Sequence, residues 1–175
     1  MIADVLVNLL VFIGLLFIPA GTVGWLAGWL FVALFWGFVL LVVRMLLRNN
    51  PQLLEERMSS LIQRDQPLWD RVLLPVFMLL FVAWLTLMPL DAVRFGWSDV
   101  PVWLQALGAL GIVLSFYVWY LTSRENPYLY SVVKLQEEQG QRVVTTGPYR
   151  YVRHPLYSSS LVFFSQLPLF CWVPG

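Results

Sequence analysis

The chain has 175 residues, of which 59% are hydrophobic and 12% charged, with a mean hydropathy of +0.73. A soluble domain carries about 25% charged residues, so the composition excludes an ordinary soluble enzyme and predicts a membrane protein with no room for a separate soluble domain. The single cysteine, Cys171, excludes an internal disulfide and a cysteine metal cluster, and the net charge of +1 points to no class of partner.

The expected fold is all-α: a polytopic membrane protein with about five transmembrane helices in one membrane domain. The apolar runs fall at residues 2–18, 25–47, 72–90, 101–122 and 156–173, each near the roughly 20 residues a helix needs to cross the hydrocarbon core. The first carries Asp4 and Asn8 near its start and has no basic flank or cleavage site, so it reads as a retained helix. Pro19-Ala20-Gly21-Thr22 ends it, and the absence of charge before the second run predicts a tight helical hairpin. Gly24 and Gly28, four apart, offer a place for a neighbouring helix to approach, and Gly111 and Ser115 repeat that spacing in the fourth run. Cys171 reads as a small apolar helix residue.

Two long polar stretches separate these runs, at residues 48–71 and 123–155. In the first, Asn50 and Pro51 suit a helix start. Leu54, Met58, Leu61 and Ile62 fall on one face, which predicts a short amphipathic helix on the membrane surface. Glu55 and Glu56 read there as a solvated polar face. Of the 11 Lys and Arg residues, all but Arg94 lie in or beside these two stretches. The positive-inside rule therefore predicts cytoplasmic long loops and a cytoplasmic N-terminus. Trp25, Trp97 and Trp103, near segment ends, suit an interfacial belt.

The chemistry-bearing stretch is Thr145 to Tyr157, which holds the only histidine. Gly147 can take a positive φ and Pro148 suits a restarted helix. On a helix Tyr149, Arg150, Arg153, His154 and Tyr157 would share a broad face, with a break or kink at Pro155 at the bilayer edge. Backbone groups freed at membrane depth often line a cavity, so this face suits a small ligand with an anionic or aromatic part. The same arginines also read as anchors that reach lipid phosphates. His154 has no second ligand at metal spacing.

Three quoted pieces carry a family resemblance: Asn126-Pro127-Tyr128; Gln136 to Val144; and Gly147-Pro148-Tyr149-Arg150-Tyr151-Val152-Arg153-His154-Pro155-Leu156-Tyr157. In this order and spacing they resemble the isoprenylcysteine carboxyl methyltransferase family of integral membrane proteins, which is similar to the phospholipid methyltransferases. Arg48-Asn49-Asn50-Pro51 and Trp69-Asp70-Arg71 resemble its bacterial branch. The resemblance implies a methyltransferase using S-adenosylmethionine in a cytoplasmic cofactor-binding loop. Its cofactor shell would be Gln136, Gln141, Arg142, Val143, Val144, Tyr149, His154, Pro155, Leu156 and Tyr157. Backbone groups of residues 141–144 would meet the adenine or ribose, and Tyr149 and Tyr157 would place ring faces near the sulfonium. The implied partner is a membrane lipid or lipidated acceptor, such as a prenylcysteine-type carboxylate, entering from the lipid; no metal and no nucleic acid is implied.

The chain departs from the family pattern in two places. Ser159 stands where the family often has glycine. The family's arginine and glutamate, which follow a further apolar helix, are expected beyond Gly175, in a longer form or a partner chain. A non-catalytic or truncated membrane protein on the same scaffold is the alternative. A small transporter or channel subunit is a third reading, disfavoured because the segment interiors are nearly free of ionisable residues.

Overall fold

The structure, a computed structural model, describes residues 2–49, 51, 54, 68–126 and 144–171. Five α-helices run through it: α1 Ile2–Ala20, α2 Leu26–Asn49, α3 Leu68–Pro89, α4 Val102–Glu125 and α5 Pro155–Cys171. No strand occurs among the described residues. Among the described residues, three helical stretches are long and apolar enough to cross a membrane: Leu26–Asn49, Arg71–Phe95 and Val102–Glu125. The apolar part of α1 is shorter, and α5 has 17 residues. The outer surface is apolar, with Leu10, Ile18, Leu79 and Leu161 all exposed, which fits a membrane protein. The predicted surface helix after residue 50 lies outside the described residues except at Pro51 and Leu54; Leu54 packs against Met45 and Leu46.

Local chemistry explains the helix ends. Asn8 donates to the Asp4 carbonyl at 2.8 Å, which satisfies a polar amide inside α1. That helix runs through Pro19 and stops at Ala20. Gly21 then turns at φ +70° and donates its N–H to the Phe17 carbonyl at 3.1 Å, as a left-handed cap does. The Thr22 hydroxyl accepts from Gly24 N–H at 3.0 Å and shapes the turn into α2.

Helix α3 extends further than its apolar run. Pro89 has no N–H for the Leu85 carbonyl, and the chain continues as a π-turn over Leu90–Phe95. Gly96, at φ 59°, closes it by donating to the Asp91 carbonyl at 2.9 Å. The Asp91 carboxylate accepts from the Ser98 N–H and hydroxyl at 2.8 and 2.7 Å. Residues 91–95, beyond the apolar run 72–90, are therefore helical.

The core is aromatic. Phe163 of α5, 1% exposed, meets Phe31 of α2, Trp84 of α3, and Phe116 and Trp119 of α4. Phe38 stacks on Phe116 with centroids 4.6 Å apart, and Phe12 of α1 stacks on Phe35 at 4.8 Å. Aromatic pairs of this kind add about 0.5–1.5 kcal/mol each beyond the area they bury.

The most extensive helix contact joins α4 to α5. The expected small-residue seam at Gly111 and Ser115 is there, lengthened by Gly108. A Cβ on Gly108 would lie 2.9 Å from the Phe170 nitrogen and 3.0 Å from the Gln166 carbonyl. The Gly24–Gly28 pair has a different role. Gly24 precedes α2, and Gly28 makes room for the ring of Trp25 one turn back, 2.4 Å from where a Cβ would sit. Trp25 faces inward: it is buried and its indole donates to the Cys171 carbonyl at 3.0 Å. Trp97 and Trp103 are exposed, as a belt requires.

Opposite ends of the bundle are thereby distinguished. Trp25, Cys171, Pro19 and Arg94 share one end, where Arg94 reaches the Pro19 carbonyl at 3.4 Å. Met45, Leu46, Leu54 and Tyr120 cluster at the other, from which both long polar stretches depart. Gly108→Ala is expected to lower unfolding stability by about 1–3 kcal/mol, the usual cost of overpacking, because rigid backbone faces it. Gly111→Ala should cost much less, since its Cβ would meet the flexible Gln166 side chain, and Gly37→Ala, with nothing within 4 Å, should be neutral. Detergent-denaturant titration of the purified variants checks this order; equal loss at Gly108 and Gly37 would contradict it.

Candidate functional site

Helix α4 ends in a polar turn that holds the chemistry-bearing stretch in place. Thr122 is fully buried and donates its hydroxyl to the Val118 carbonyl at 2.7 Å. Beyond it, Glu125 accepts from the Thr146 hydroxyl at 2.9 Å and from Arg124 at 3.1 Å. Asn126 donates its side-chain amide to the Tyr149 hydroxyl oxygen at 2.8 Å. Gly147 lies against the Glu125 side chain: a Cβ there would sit 2.6 Å from Cγ, and its φ is +58°. Glycine is the residue that accepts both constraints at once. Two hydrogen bonds and one close contact thus clasp residues 146–149 to the tip of α4.

The backbone after this clasp is not α-helical up to Pro155; of the break or kink expected there, it shows a break. Gly147–Arg150 form a single 3-10 turn. The chain is then non-helical through His154, and Pro155 opens α5. A proline at the first helical position has no N–H to leave unpaired, so Pro155 starts a helix rather than bending one. His154 acts as the residue before it, its carbonyl accepting the Ser158 N–H and hydroxyl, both at 3.1 Å.

One broad face is therefore not formed. Tyr149 turns to Asn126 and is half-buried. His154 and Tyr157 stack on each other across the first turn of α5, centroids 5.7 Å apart and planes 28° apart. Both are exposed, Tyr157 by 68%. Pro155 is buried and Leu156 partly so.

Beside the clasp lies a cleft of about 700 Å³ between α4 and α5. Its walls are apolar, from Val118, Leu121 and Val162, and its floor holds Ser115 and Ser159. At its mouth stand Arg124, Glu125 and Arg150. Leu114 and Val162, on its rim, are exposed, so the cleft opens sideways from the bundle. Glu125 is engaged by Arg124 and Thr146, which leaves Arg150 as a cation at the mouth with no carboxylate partner among the described residues. A second cavity of about 460 Å³ lies at the opposite end, between Trp25, Ala106 and Phe170.

Of the residues assigned by resemblance, Pro155 lines the cleft, while Tyr149, His154, Leu156 and Tyr157 stand next to it without lining it. Val144 is half-buried just before the clasp. Gln136, Gln141, Arg142 and Val143 lie outside the described residues. Glu125, Ser115 and the wall of α4 were not expected as site residues. No local signal marks Glu125: it lies within the polar stretch 123–155, where Glu137 and Glu138 are nearer in sequence to Thr146. No group of three or more potential metal ligands occurs among the described residues.

No protein-family model, no curated protein and no solved structure matches the chain. The clasp supports a direct test. Gly147→Ala should lower the thermal midpoint, because the left-handed backbone alone costs a residue with Cβ about 1–2 kcal/mol. Tyr149→Phe should remove about 1 kcal/mol with its hydrogen bond. Thermal unfolding of both variants in one detergent reads the pair, and wild-type midpoints would refute the clasp.

Proposed function

We propose that this chain is the membrane scaffold of an S-adenosylmethionine-dependent methyltransferase resembling the isoprenylcysteine carboxyl methyltransferases. Its acceptor is a lipid-like or prenylcysteine-type carboxylate at the cytoplasmic membrane face. In this reading all five helices cross the membrane, with the N-terminus and both long loops cytoplasmic. The observation that carries it is the position of the Gly-Pro-Tyr and Arg-His-Pro-x-Tyr pieces. Both are anchored at one end of the bundle, the first by Asn126 and Glu125, beside a sideways-opening apolar cleft with arginines at its mouth.

The residues fit the cofactor in kind. The stacked His154–Tyr157 pair presents open ring faces, which suit a ligand with a cationic sulfonium and a flat purine. Tyr149, held by Asn126, is the third ring of the stretch and lies apart from that pair. Together with Val144, Pro155 and Leu156 these residues would hold the adenosyl part, and Gln136 and residues 141–143 would complete the shell. When bound, the cofactor supplies a methyl group activated by its sulfonium. The protein's task is then to orient donor and acceptor in line and to keep water out, and orientation of this kind supplies much of a rate. The Glu125 clasp serves that task by fixing the turn that carries Tyr149.

A second reading, a non-catalytic membrane protein on the same scaffold, is favoured by the exposure of His154 and Tyr157 outside the cleft. Binding of radiolabelled S-adenosylmethionine to the purified protein separates the two. Saturable binding is expected, weakened about tenfold by His154→Ala or Tyr157→Ala, in line with a lost cation–π contact. Arg94→Ala, at the far end of the bundle, should leave it unchanged. No saturable binding, or the same loss in all three variants, would leave the second reading standing.

A further inference from the structure

The end of the bundle away from the cleft carries its own group of polar and ring side chains, built on the π-turn Leu90–Phe95. Arg94 is the one Lys or Arg residue that lies neither in nor beside the two long polar stretches. It stands at the end of the π-turn, where unpaired carbonyls favour a cation. Two contacts hold it. Its Nη1 donates to the Pro19 carbonyl at 3.4 Å, and its guanidinium carbon lies 5.9 Å from the centroid of the Phe95 ring. No carboxylate pairs with it among the described residues. The nearby Asp91 carboxylate is engaged by the Ser98 N–H and hydroxyl at 2.8 and 2.7 Å. Arg94 is exposed, so the rest of its N–H fork is open to a ligand.

The rings beside it are arranged rather than scattered. Gly96, left-handed at φ 59°, turns the chain between Phe95 and Trp97. The two rings stack, with centroids 4.9 Å apart and planes 13° apart. Both are more than half exposed, and so is Trp103 at the start of α4. In water such an exposed apolar patch invites association; at the level of lipid headgroups it is where indole rings gather. The bonds from Ser98 and from the Gly96 N–H, both to Asp91, keep the arrangement rigid.

A guanidinium recognises phosphate through paired N–H donors. At a helix end flanked by interface-seeking rings, the phosphate within reach is that of a phospholipid. Asp91 and the exposed Asp99 share this segment with Arg94, so a zwitterionic headgroup, phosphate and ammonium together, suits it better than a net anionic one. We propose that residues 91–99 form a headgroup-binding hook: Arg94 takes the phosphodiester of a zwitterionic glycerophospholipid, and Phe95 and Trp97 lie against its glycerol and upper acyl carbons. Asp91 is a positioning residue that shapes the hook. Because Arg94 also bonds the last turn of α1, the bound lipid fastens the α1–α3 joint at a fixed depth in the leaflet. The proposal is independent of the methyltransferase reading, whose residues lie at the opposite end of the bundle.

The test is local hydrogen–deuterium exchange of the purified full chain in dodecyl maltoside, titrated with phosphatidylethanolamine. Exchange over residues 94–100 should slow saturably, a sign of local ordering. Arg94→Gln should raise the half-saturating lipid concentration about tenfold, the loss of a charge-assisted hydrogen bond. Unchanged exchange over residues 108–116 in the core of α4 shows that the variant is folded. Should it fail to fold, Trp97→Ala, which removes an exposed ring, should raise the same concentration about threefold. Matching diacylglycerol, which lacks the phosphate, and inorganic phosphate, which lacks the chains, should each leave the segment unchanged. Four results would overturn the hook: no slowing over residues 94–100, equal half-saturation in wild type and Arg94→Gln, the same slowing from diacylglycerol or from inorganic phosphate, or tighter binding of phosphatidylglycerol than of phosphatidylethanolamine.

Discussion

The close approach of α4 and α5 is the constraint on which the rest of the structure depends. Between lipid-facing helices the hydrophobic effect supplies no net attraction, so association relies on packing and on backbone proximity. Gly108 and Gly111 allow that proximity: side chains there would collide with Phe170, Gln166 and Leu169. Toward the other end of the same pair, Ser115 and Ser159 are both buried. Both serines also line the cleft between these helices. Seam and cavity are thus two parts of a single crossing, closed where the residues are glycine and open where α4 and α5 carry Val118, Leu121 and Val162.

Phe163 turns this helix pair into a bundle. It stands on α5 at the level where α2, α3 and α4 all present rings, and contacts a ring from each. The interior is therefore organised by aromatic shape rather than by ion pairs; the Arg124–Glu125 pair is adjacent in sequence and lies at a helix tip. Within the core the Trp36 and Trp119 indole N–H groups are buried without partners. This arrangement concentrates hydrogen-bonding demands at the two ends, where Trp25 meets Cys171 and where Glu125 and Asn126 meet the returning chain. The candidate site uses the second of these ends.

Much of the helical layout was legible because it is encoded by uninterrupted apolar runs. The boundaries read for α1, α2 and α5 fall within two residues of those observed. Gly111 and Ser115 were legible as a seam because a four-residue spacing puts both on one helix face. The same logic misread Gly24 and Gly28, since spacing alone cannot tell a neighbouring helix from a tryptophan one turn away. The π-turn after Pro89 was hidden for a related reason: it depends on Asp91 pairing with Ser98 and on the left-handed Gly96, not on hydrophobicity. At the site, Gly147 and Pro148 announced a turn, but the partner that fixes it, Glu125, is distant in sequence, and no local pattern connects the two. Pro155 was read as a break or kink, and the break is what occurs: one short turn ends at Arg150 and a new helix starts at Pro155.

The indole bond from Trp25 to Cys171 and the ring contacts of Phe163 share a property that bears on biogenesis. Both join the α1–α2 hairpin to α5, so neither can form until the ribosome has made the chain through α5. Polypeptides acquire structure from the N-terminus during synthesis, and membrane helices insert before they associate. Helices α2, α3 and α4 are therefore made with Phe31, Trp84 and Phe116 still lacking their common neighbour. Helix α5 is the keystone of this assembly, and its arrival both locks the aromatic interior and creates the cleft beside it.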